Sequence, residues 1–268
     1  MDRLKNDEIR SAVRQNYGKI AAAGSAGCGC SPSSCCGEKG VPSAAEIARG
    51  LGYSDQEVTA VPEGANLGLG CGNPQAIASL QAGETVLDLG SGGGFDCFLA
   101  ARAVGASGQV IGVDMTPEMI VKSRRNAKET GFGNVDFRLG ELENLPVADG
   151  SVDIIISNCV INLSPEKERV FAESWRVLKP GGRLAISDVV AIAELPPHLK
   201  DDLATHAACI AGAASIPELV ALLRRIGFEG VRIEPKLESR AVIRDWLPGS
   251  KVEDFVVSAT IEAMKPKA

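Results

Sequence analysis

Between Glu84 and Val190 the chain alternates apolar runs of strand length with segments of helix length. The strand-length runs are TVLDLG, QVIGVD, VDFRLG, VDIIISN and RLAISDVV, and the segments between them include FDCFLAARAVG, PEMIVKSRRNAKETG and PEKERVFAESWRVLKPGG. Continuous runs rich in Val and Ile are typical of strands that helices bury on both faces. The alternation therefore predicts an α/β fold with a Rossmann-like, doubly wound and mostly parallel sheet.

The sequence on either side of this series predicts two further regions. Residues 1–70 are expected to hold N-terminal helices, since Ile9, Val13, Tyr17 and Ile20 have helical spacing. A Gly- and Ser-rich stretch at 21–40 is expected to be a mobile Cys-rich segment, because it offers little apolar surface to bury. Two short helices should follow, one with the Ser43 and Glu46 capping-box spacing and one starting at Asn73 and Pro74.

Residues 71–190 form the predicted cofactor-binding domain, and residues 191–268 form a C-terminal region. The latter contains helical candidates at 197–212 and 216–226 and the strand candidates FEGVRIEP and FVVSATIEAM. These strands either finish the sheet or form a small appended lobe, and periodicity does not choose between the two.

The charge balance restricts the partners. The 268 residues include 28 Lys+Arg and 34 Asp+Glu, a net charge of −6, which disfavours nucleic acid and anionic membrane surfaces. Neither a signal peptide nor a membrane span is recognisable, so a cytoplasmic location is expected. In that reducing compartment the 8 cysteines need a packing or a chemical explanation, while the 2 histidines limit zinc sites and histidine-based catalysis.

The strand TVLDL leads into GSGGG and then into a helix. Glycines at 90, 92 and 94 permit positive backbone angles and a close approach to a ligand at the carboxyl end of a strand. The spacing is G-x-G-x-G, which departs from the dinucleotide fingerprint G-x-G-x-x-G. Asp114, 20 residues after Gly94, ends the next strand and is well placed to accept hydrogen bonds from a ribose diol.

The motifs VLDLGSGGGFD, GVDMTPEM and RVLKPGG resemble those of the class I methyltransferases, over about residues 84–190. The resemblance implies S-adenosylmethionine as cofactor. It also implies a set of cofactor contacts: Asp88, Gly90, Ser91, Gly92, Gly94, Asp114, Met115, Glu141, Leu142, Glu143 and Asn158.

Four cysteines lie within or beside the predicted domain. Cys159 follows VDIIISN and so lies at the carboxyl edge of the sheet, the ligand side of an open α/β sheet. Cys71 lies between glycines in NLGLGCGNP, and Cys209 lies in a helix-like ACIAGA segment. Cys97, inside the first helix, is interpreted as a buried small hydrophobe, and packing is the alternative for each of the others.

The sequences around these cysteines, LGCGNP, SNCVINLSPEK and CIAGA, resemble motifs of the arsenite methyltransferases. The resemblance extends from about residue 9 to residue 235. The resemblance implies that Cys71, Cys159 and Cys209 bind trivalent arsenic, that the C-terminal lobe is metalloid-binding, and that arsenite and methylarsenite are substrates. It also implies a redox role for Cys35 or Cys36, with thioredoxin or glutathione as the thiol reductant. The expected products are methylated arsenicals, formed for detoxification.

The chemistry agrees with this implication. Soft ions select thiolates, and three sulfur ligands leave the arsenic lone pair free to attack a sulfonium methyl without a general base. Two alternatives are a methyltransferase acting on a small organic nucleophile, of quinone or sterol type, and a soft-metal binding or sensing protein.

Leu69 stands where many members of the family have an aromatic residue.

The remaining cysteines and histidines are not assigned. Cys28 and Cys30 have no clear family counterpart, and their spacing with Cys35 and Cys36 differs from that of common zinc sites. The two histidines, His198 and His206, are interpreted as structural or surface residues.

Overall fold

The computed structural model describes residues 3–23 and 42–267. Its centre is a 7-stranded sheet in the order β3-β2-β1-β4-β5-β7-β6. The strands are β1 (Thr85–Leu89), β2 (Gln109–Asp114), β3 (Val135–Leu139), β4 (Val152–Asn158), β5 (Leu178–Ala191), β6 (Glu229–Lys236) and β7 (Val256–Met264). The first five pair in parallel, and the predicted mostly parallel α/β sheet is confirmed.

Helices cover both faces of the sheet. The α-helices are α1 (Arg3–Ala23), α2 (Ala44–Gly50), α3 (Asp55–Thr59), α4 (Gln75–Ala78), α5 (Phe95–Val104), α6 (Pro117–Thr130), α7 (Lys167–Val177), α8 (Pro197–Lys200), α9 (Leu203–Ala207), α10 (Ile216–Ile226) and α11 (Arg240–Ile243). Helices α5 and α6 pack with Val86 and Ile154 on one face, and α7 and α10 pack with Leu87 and Ile155 on the other. Successive strand residues therefore point into two separate cores, as expected for a doubly wound sheet.

The two C-terminal strands complete the sheet. β7 runs antiparallel to β5, from Arg183 opposite Met264 to Ala191 opposite Val256, and β6 pairs with β7 at the edge. Of the two alternatives that periodicity left open, the structure shows the first. The expected C-terminal lobe thus has no sheet of its own, although the division of the chain at residues 70 and 190 stays a prediction.

The predicted N-terminal helix is present and longer than expected. Ile9 and Val13 are buried, and α1 ends at Ala23, inside the stretch 21–40 that was expected to be mobile. Residues 24–41 lie outside the described residues. Helix α1 contacts α6, α9 and the 3-10 turn Ile161–Leu163, which places it over the carboxyl edge of the sheet.

The predicted caps of the short helices are also found. Ser43 and Glu46 form both hydrogen bonds of a capping box at α2. At α4, Asn73 Oδ1 accepts a hydrogen bond from the amide of Ala76 at 3.3 Å, with Pro74 already in the helical conformation. Helix α4 itself begins at Gln75 with Pro74 as its N-cap residue, one residue later than expected.

The predicted helix at 197–212 is wrong in its extent. Two short helices, α8 and α9, occupy the first part of it, and Asp202 caps α9 by accepting a hydrogen bond from the amide of Thr205. α9 ends at Ala207, because Cys209 has a φ of 63° and cannot continue a right-handed helix. Cys209 therefore lies in a turn, and the expectation that it belongs to a helix-like segment is corrected.

None of the helices in the described part of the chain is both long and apolar enough to cross a membrane.

Packing between β2 and its neighbours leaves no room for a side chain at Gly112. A Cβ there would lie 2.7 Å from Phe137 Cδ1 and 2.8 Å from Cys97 Sγ. We predict that Gly112→Ala lowers the free energy of unfolding by about 1–3 kcal/mol through overpacking, measured by urea denaturation. The matched control is Gly133→Ala, since a Cβ at Gly133 meets nothing within 4 Å. Equal stabilities of the two variants would contradict the packing described here.

Candidate functional site

The glycine-rich loop leaves β1 at the point where the strand order reverses, between β1 and β4. Gly90, Gly92 and Gly94 have φ values of 70°, 51° and 95°, in the region that favours glycine. A Cβ at Gly92 would meet nothing within 4 Å, so this side of the loop is open to a ligand. The buried hydroxyl of Ser91 has no hydrogen-bond partner among the described residues. An unpartnered buried polar atom beside open space indicates a binding position for a polar ligand.

Asp114 lies at the carboxyl end of β2, beside this loop. Its carboxylate accepts hydrogen bonds from the amides of Gly92, at 2.9 Å, and of Thr116, at 2.8 Å. Burial raises the pKa of Asp114, and these amides oppose the shift. The amides also hold the carboxylate next to the loop, where a pair of ligand hydroxyls can reach it. The position is the one expected from the sequence; the contact itself stays a prediction.

Asp88 and Cys97 form a buried pair beneath the loop. The Cys97 thiol donates a hydrogen bond to Asp88 Oδ2 at 3.1 Å, and both side chains are buried. Burial raises the pKa of the Asp88 carboxyl well above its ordinary value. Cys97 packs in the core against α5 and the sheet, as interpreted from the sequence.

The residues after β3 face helix α1. Glu143 accepts hydrogen bonds from Arg10, at 3.1 Å, and from the Ser164 hydroxyl, at 2.6 Å. Glu141 accepts one from Arg14, at 3.1 Å. Leu142 is buried in the core, and Met115 packs beside α1 with Ile9 and Val13. The predicted cofactor contacts of these residues are not tested, and in the structure the two carboxylates bind arginines of α1.

Three cysteines from separate segments meet at the carboxyl edge of the sheet. One ligand atom each of Cys71, Cys159 and Asp188 lies within 4.8 Å of the other two. The Cys209 thiol donates a hydrogen bond to the carbonyl of Cys159 at 2.8 Å. The structure thus brings Cys71 and Cys159 close enough to share an ion, and Cys209 contacts Cys159 through its backbone carbonyl. Cys35 and Cys36, like Cys28 and Cys30, lie outside the described residues.

Two of these cysteines have a left-handed backbone. The φ of Cys159 is 58° and that of Cys209 is 63°, a conformation that is uncommon for residues other than glycine. Backbone hydrogen bonds hold both, from the Cys159 amide to the Ser187 carbonyl at 2.8 Å and from the Cys209 amide to the His206 carbonyl at 2.9 Å. Strained non-glycine residues cluster at functional sites, so these two positions are candidates on conformation alone.

The loop that carries Cys71 is held by Asn158, the last residue of β4. Asn158 Oδ1 accepts a hydrogen bond from the Cys71 amide at 3.0 Å, and its Nδ2 donates to the Gly72 carbonyl at 2.8 Å. A Cβ at Gly72 would lie 2.8 Å from Ser187 Oγ, which explains why a glycine follows Cys71. Asn158 was predicted to contact the cofactor; in the structure it anchors the cysteine loop, and the cofactor contact stays a prediction.

Sequence analysis missed the buried polar residues that support this anchor. Tyr53 donates a hydrogen bond to Asp96 Oδ1 at 2.8 Å and accepts one from Asn158 at 3.0 Å. Gln75 donates to the Asp96 carbonyl at 2.9 Å. Burial raises the pKa of Asp96 to about 6. The only signal in the sequence is an acid directly after the glycine loop, and it does not reveal the partners.

Asp188 is a second residue that was missed. It is 2% exposed and accepts hydrogen bonds from the amides of Ile161, at 2.9 Å, and Val189, at 2.7 Å, and from Asn162 Nδ2, at 2.9 Å. Burial raises its pKa to about 6. An acid inside the apolar run LAISDVV was the available signal, because a carboxylate is buried in a strand only where donors surround it.

The surroundings of the three thiols raise their pKa values and so favour the protonated form. Burial raises the pKa of Cys71, and a hydrogen bond with Cys159 together with burial raises that of Cys209 well above its ordinary value. The hydrogen bond with Cys209 lowers the pKa of Cys159, but the hydrogen bond with Cys71 and burial outweigh it. The site is therefore an uncharged cluster of soft donors beside one buried carboxyl.

The two histidines lie apart from this cluster's donor atoms. His198 is exposed, and the His206 ring bonds through Nε2 to the Leu163 carbonyl at 3.1 Å. Both positions agree with the interpretation as surface and structural residues.

A family model described as a methyltransferase domain matches residues 80–239. An arsenite methyltransferase of Halobacterium salinarum is 52% identical over 97% of this chain, and one of Aquipseudomonas alcaligenes is 40% identical over 84%. The human arsenite methyltransferase is 41% identical over 53% of the chain. The chain spans 67%, 63% and 40% of the lengths of these three relatives, respectively.

Among solved structures, an arsenic (III) S-adenosylmethionine methyltransferase from Chlamydomonas reinhardtii is similar, with a TM-score of 0.60 and 32% identity. The match covers 85% of this chain and 75% of that chain.

The left-handed backbone at Cys159 is testable by substitution. We predict that Cys159→Gly is more stable than Cys159→Ala by about 1–2 kcal/mol, because alanine pays the steric cost of this conformation and glycine does not. The control is Cys97 in helix α5, where the order should reverse and glycine should be the less stable by about 1 kcal/mol. Urea denaturation of the four variants measures both differences, and the same order at both sites would contradict the assigned backbone.

Proposed function

Because the chain belongs to the arsenite methyltransferase family of class I methyltransferases, we propose that it transfers methyl groups from S-adenosylmethionine to trivalent arsenic held by Cys71, Cys159 and Cys209. The observation that supports this most strongly is the meeting of three soft donors, from three distant segments, next to the glycine loop. Packing alone does not require two of them to have left-handed backbones.

The residues of the loop fit the cofactor. Asp114 offers a carboxylate for the ribose hydroxyls, Ser91 offers a hydroxyl without a partner, and the space over Gly92 is open. When bound, S-adenosylmethionine supplies an electrophilic methyl group on a positively charged sulfonium. The proposed cofactor contacts are those implied by the family motifs.

Arsenite can bind to cysteines whose thiols are still protonated. Arsenous acid is neutral, and each S–As bond forms as a thiol proton leaves with an arsenic-bound hydroxide as water. Three such exchanges give an arsenic trithiolate and three waters with no net release of protons. The raised pKa values of the three cysteines are therefore compatible with binding of arsenite.

The rate of methyl transfer then depends on how the arsenic is positioned relative to the methyl group. Arsenic bound by three sulfurs keeps its lone pair, which attacks the methyl carbon as the carbon–sulfonium bond breaks. Correct orientation of two reactants is worth up to about 7–11 kcal/mol in favourable cases. The chain's contribution is to hold the arsenic, and no general base is needed because the nucleophile carries its own electron pair.

Methylation leaves arsenic pentavalent, and its return to the trivalent state needs two electrons. A free thiol attacks the sulfur of one arsenic-bound cysteine: the S–S bond forms, the S–As bond breaks with its electron pair left on arsenic, and the free thiol releases one proton. We assign the free thiol to Cys35 or Cys36, as the family resemblance implies. Thioredoxin or glutathione, as co-substrate, then reduces the disulfide by thiol exchange. Methylarsenite is the substrate of a following round, and the methylated arsenicals serve detoxification.

The central test is to incubate the protein with arsenite, labelled S-adenosylmethionine and a thiol reductant, and to separate the arsenic species. We expect labelled methylated arsenic. Cys159→Ser should abolish arsenite binding while the affinity for the cofactor stays unchanged, and Cys28→Ser, outside the ligand set, is the matched control. An absence of methylated arsenic from the wild-type reaction would refute the proposal.

The redox step predicts a disulfide that can be trapped. One turnover without reductant, followed by alkylation and peptide mass spectrometry, should show a ligand cysteine joined to Cys35 or Cys36. Cys35→Ser and Cys36→Ser serve as controls for each other, and one of them should lose both the disulfide and multiple turnover. Full turnover in both single variants, with no disulfide to either residue, would refute the assignment.

A further inference from the structure

The side chain of Tyr17 packs beside the candidate site. It belongs to α1 and to a hydrophobic cluster that also contains Cys209, Cys159 and Met115, the neighbour of Asp114. Burial, then the nearby Cys209 and Cys159, raise the pKa of Tyr17 well above its ordinary value, so the hydroxyl keeps its proton. No role in the proposed mechanism has been given to it so far.

The Tyr17 hydroxyl reaches the turn that carries Cys209. It donates a hydrogen bond to the Ala207 carbonyl at 3.4 Å, two residues before Cys209. The Cys209 thiol proton points to the Cys159 carbonyl, which leaves the sulfur lone pairs as acceptors. The Tyr17 hydroxyl thus joins helix α1 to the backbone of the turn that carries Cys209.

Helix α1 is fixed in this place by an ion pair. Arg10 is 12% exposed and binds Glu143 at 3.1 Å and also Glu166. Arg10 and Tyr17 are seven residues apart and so lie on the same face of the helix. The ion pair therefore sets where Tyr17 stands relative to the turn after α9.

We propose that Tyr17 is a positioning residue for the third ligand, Cys209. Its hydroxyl holds the turn at Ala207–Cys209 so that the Cys209 sulfur faces Cys159. The proposal rests on the proposed function, since it assigns Tyr17 to the binding of trivalent arsenic. In this role Tyr17 acts through Cys209.

A double-mutant cycle tests this role, with arsenite and S-adenosylhomocysteine titrated separately by calorimetry. Tyr17→Phe keeps the ring and removes the hydroxyl, and it should weaken arsenite binding about fivefold, as expected for one ordinary hydrogen bond. The affinity for S-adenosylhomocysteine should not change. Cys209→Ser leaves Cys71 and Cys159, whose two sulfurs should still bind arsenite measurably but more weakly. In this background the Tyr17→Phe substitution should cause no further loss, because the residue it acts through is already gone. Gln15→Ala, on the exposed side of α1, is the control.

Three results would overturn the proposal: no loss of arsenite affinity in Tyr17→Phe, the same loss with and without Cys209, or a parallel loss of S-adenosylhomocysteine affinity. The last would show that the substitution displaces α1 as a whole. If the wild-type protein binds S-adenosylhomocysteine but not arsenite, the proposed function itself fails, and the two failures are therefore distinguishable.

Discussion

The parallel pairing of β1 with β4 is the constraint on which the site depends. It brings the carboxyl ends of both strands to one edge, so Gly90 follows the first strand and Cys159 follows the second within the same crevice. The two loops touch directly, because a Cβ at Gly90 would lie 2.8 Å from the Cβ of Val160. The loop that is expected to hold the cofactor and the turn that begins at Cys159 are thus built against each other.

Buried polar side chains fix the positions of the segments that carry the cysteines. Asn158 ties the Cys71 loop to the end of β4, and Asp188 ties the turn after Cys159 to β5. Both side chains have several hydrogen-bond partners, which offsets the cost of removing them from water. The cysteines themselves make few strong interactions, so their placement follows from these neighbours and from backbone hydrogen bonds.

The sheet, the glycine loop and the place of Asp114 could be predicted because each leaves a local pattern: periodicity, glycine spacing and the end of an apolar run. The turn at Cys209 could not, since a run of Ala, Cys and Ile has helical character and the helix ends only at the left-handed backbone of Cys209, whose thiol bonds to the distant Cys159 carbonyl. Other contacts join residues that are far apart in the chain, such as the pairing of β7 with β5 and the contacts of Tyr53 and Asp96. No local sequence pattern predicts them. The cysteine set itself was found through family motifs, and the structure supplied the proximity.

The protonated state of the three thiols bears on which ions the site retains. A divalent cation such as Zn²⁺ requires thiolate ligands, so its binding to these cysteines must expel protons, at a cost of about 1.4 kcal/mol for each unit by which a thiol pKa exceeds the ambient pH. A neutral metalloid hydroxide meets no such cost, because its own hydroxides carry the protons away. In the proposed site the raised thiol pKa values therefore favour a neutral trivalent metalloid over a divalent cation, which needs thiolates.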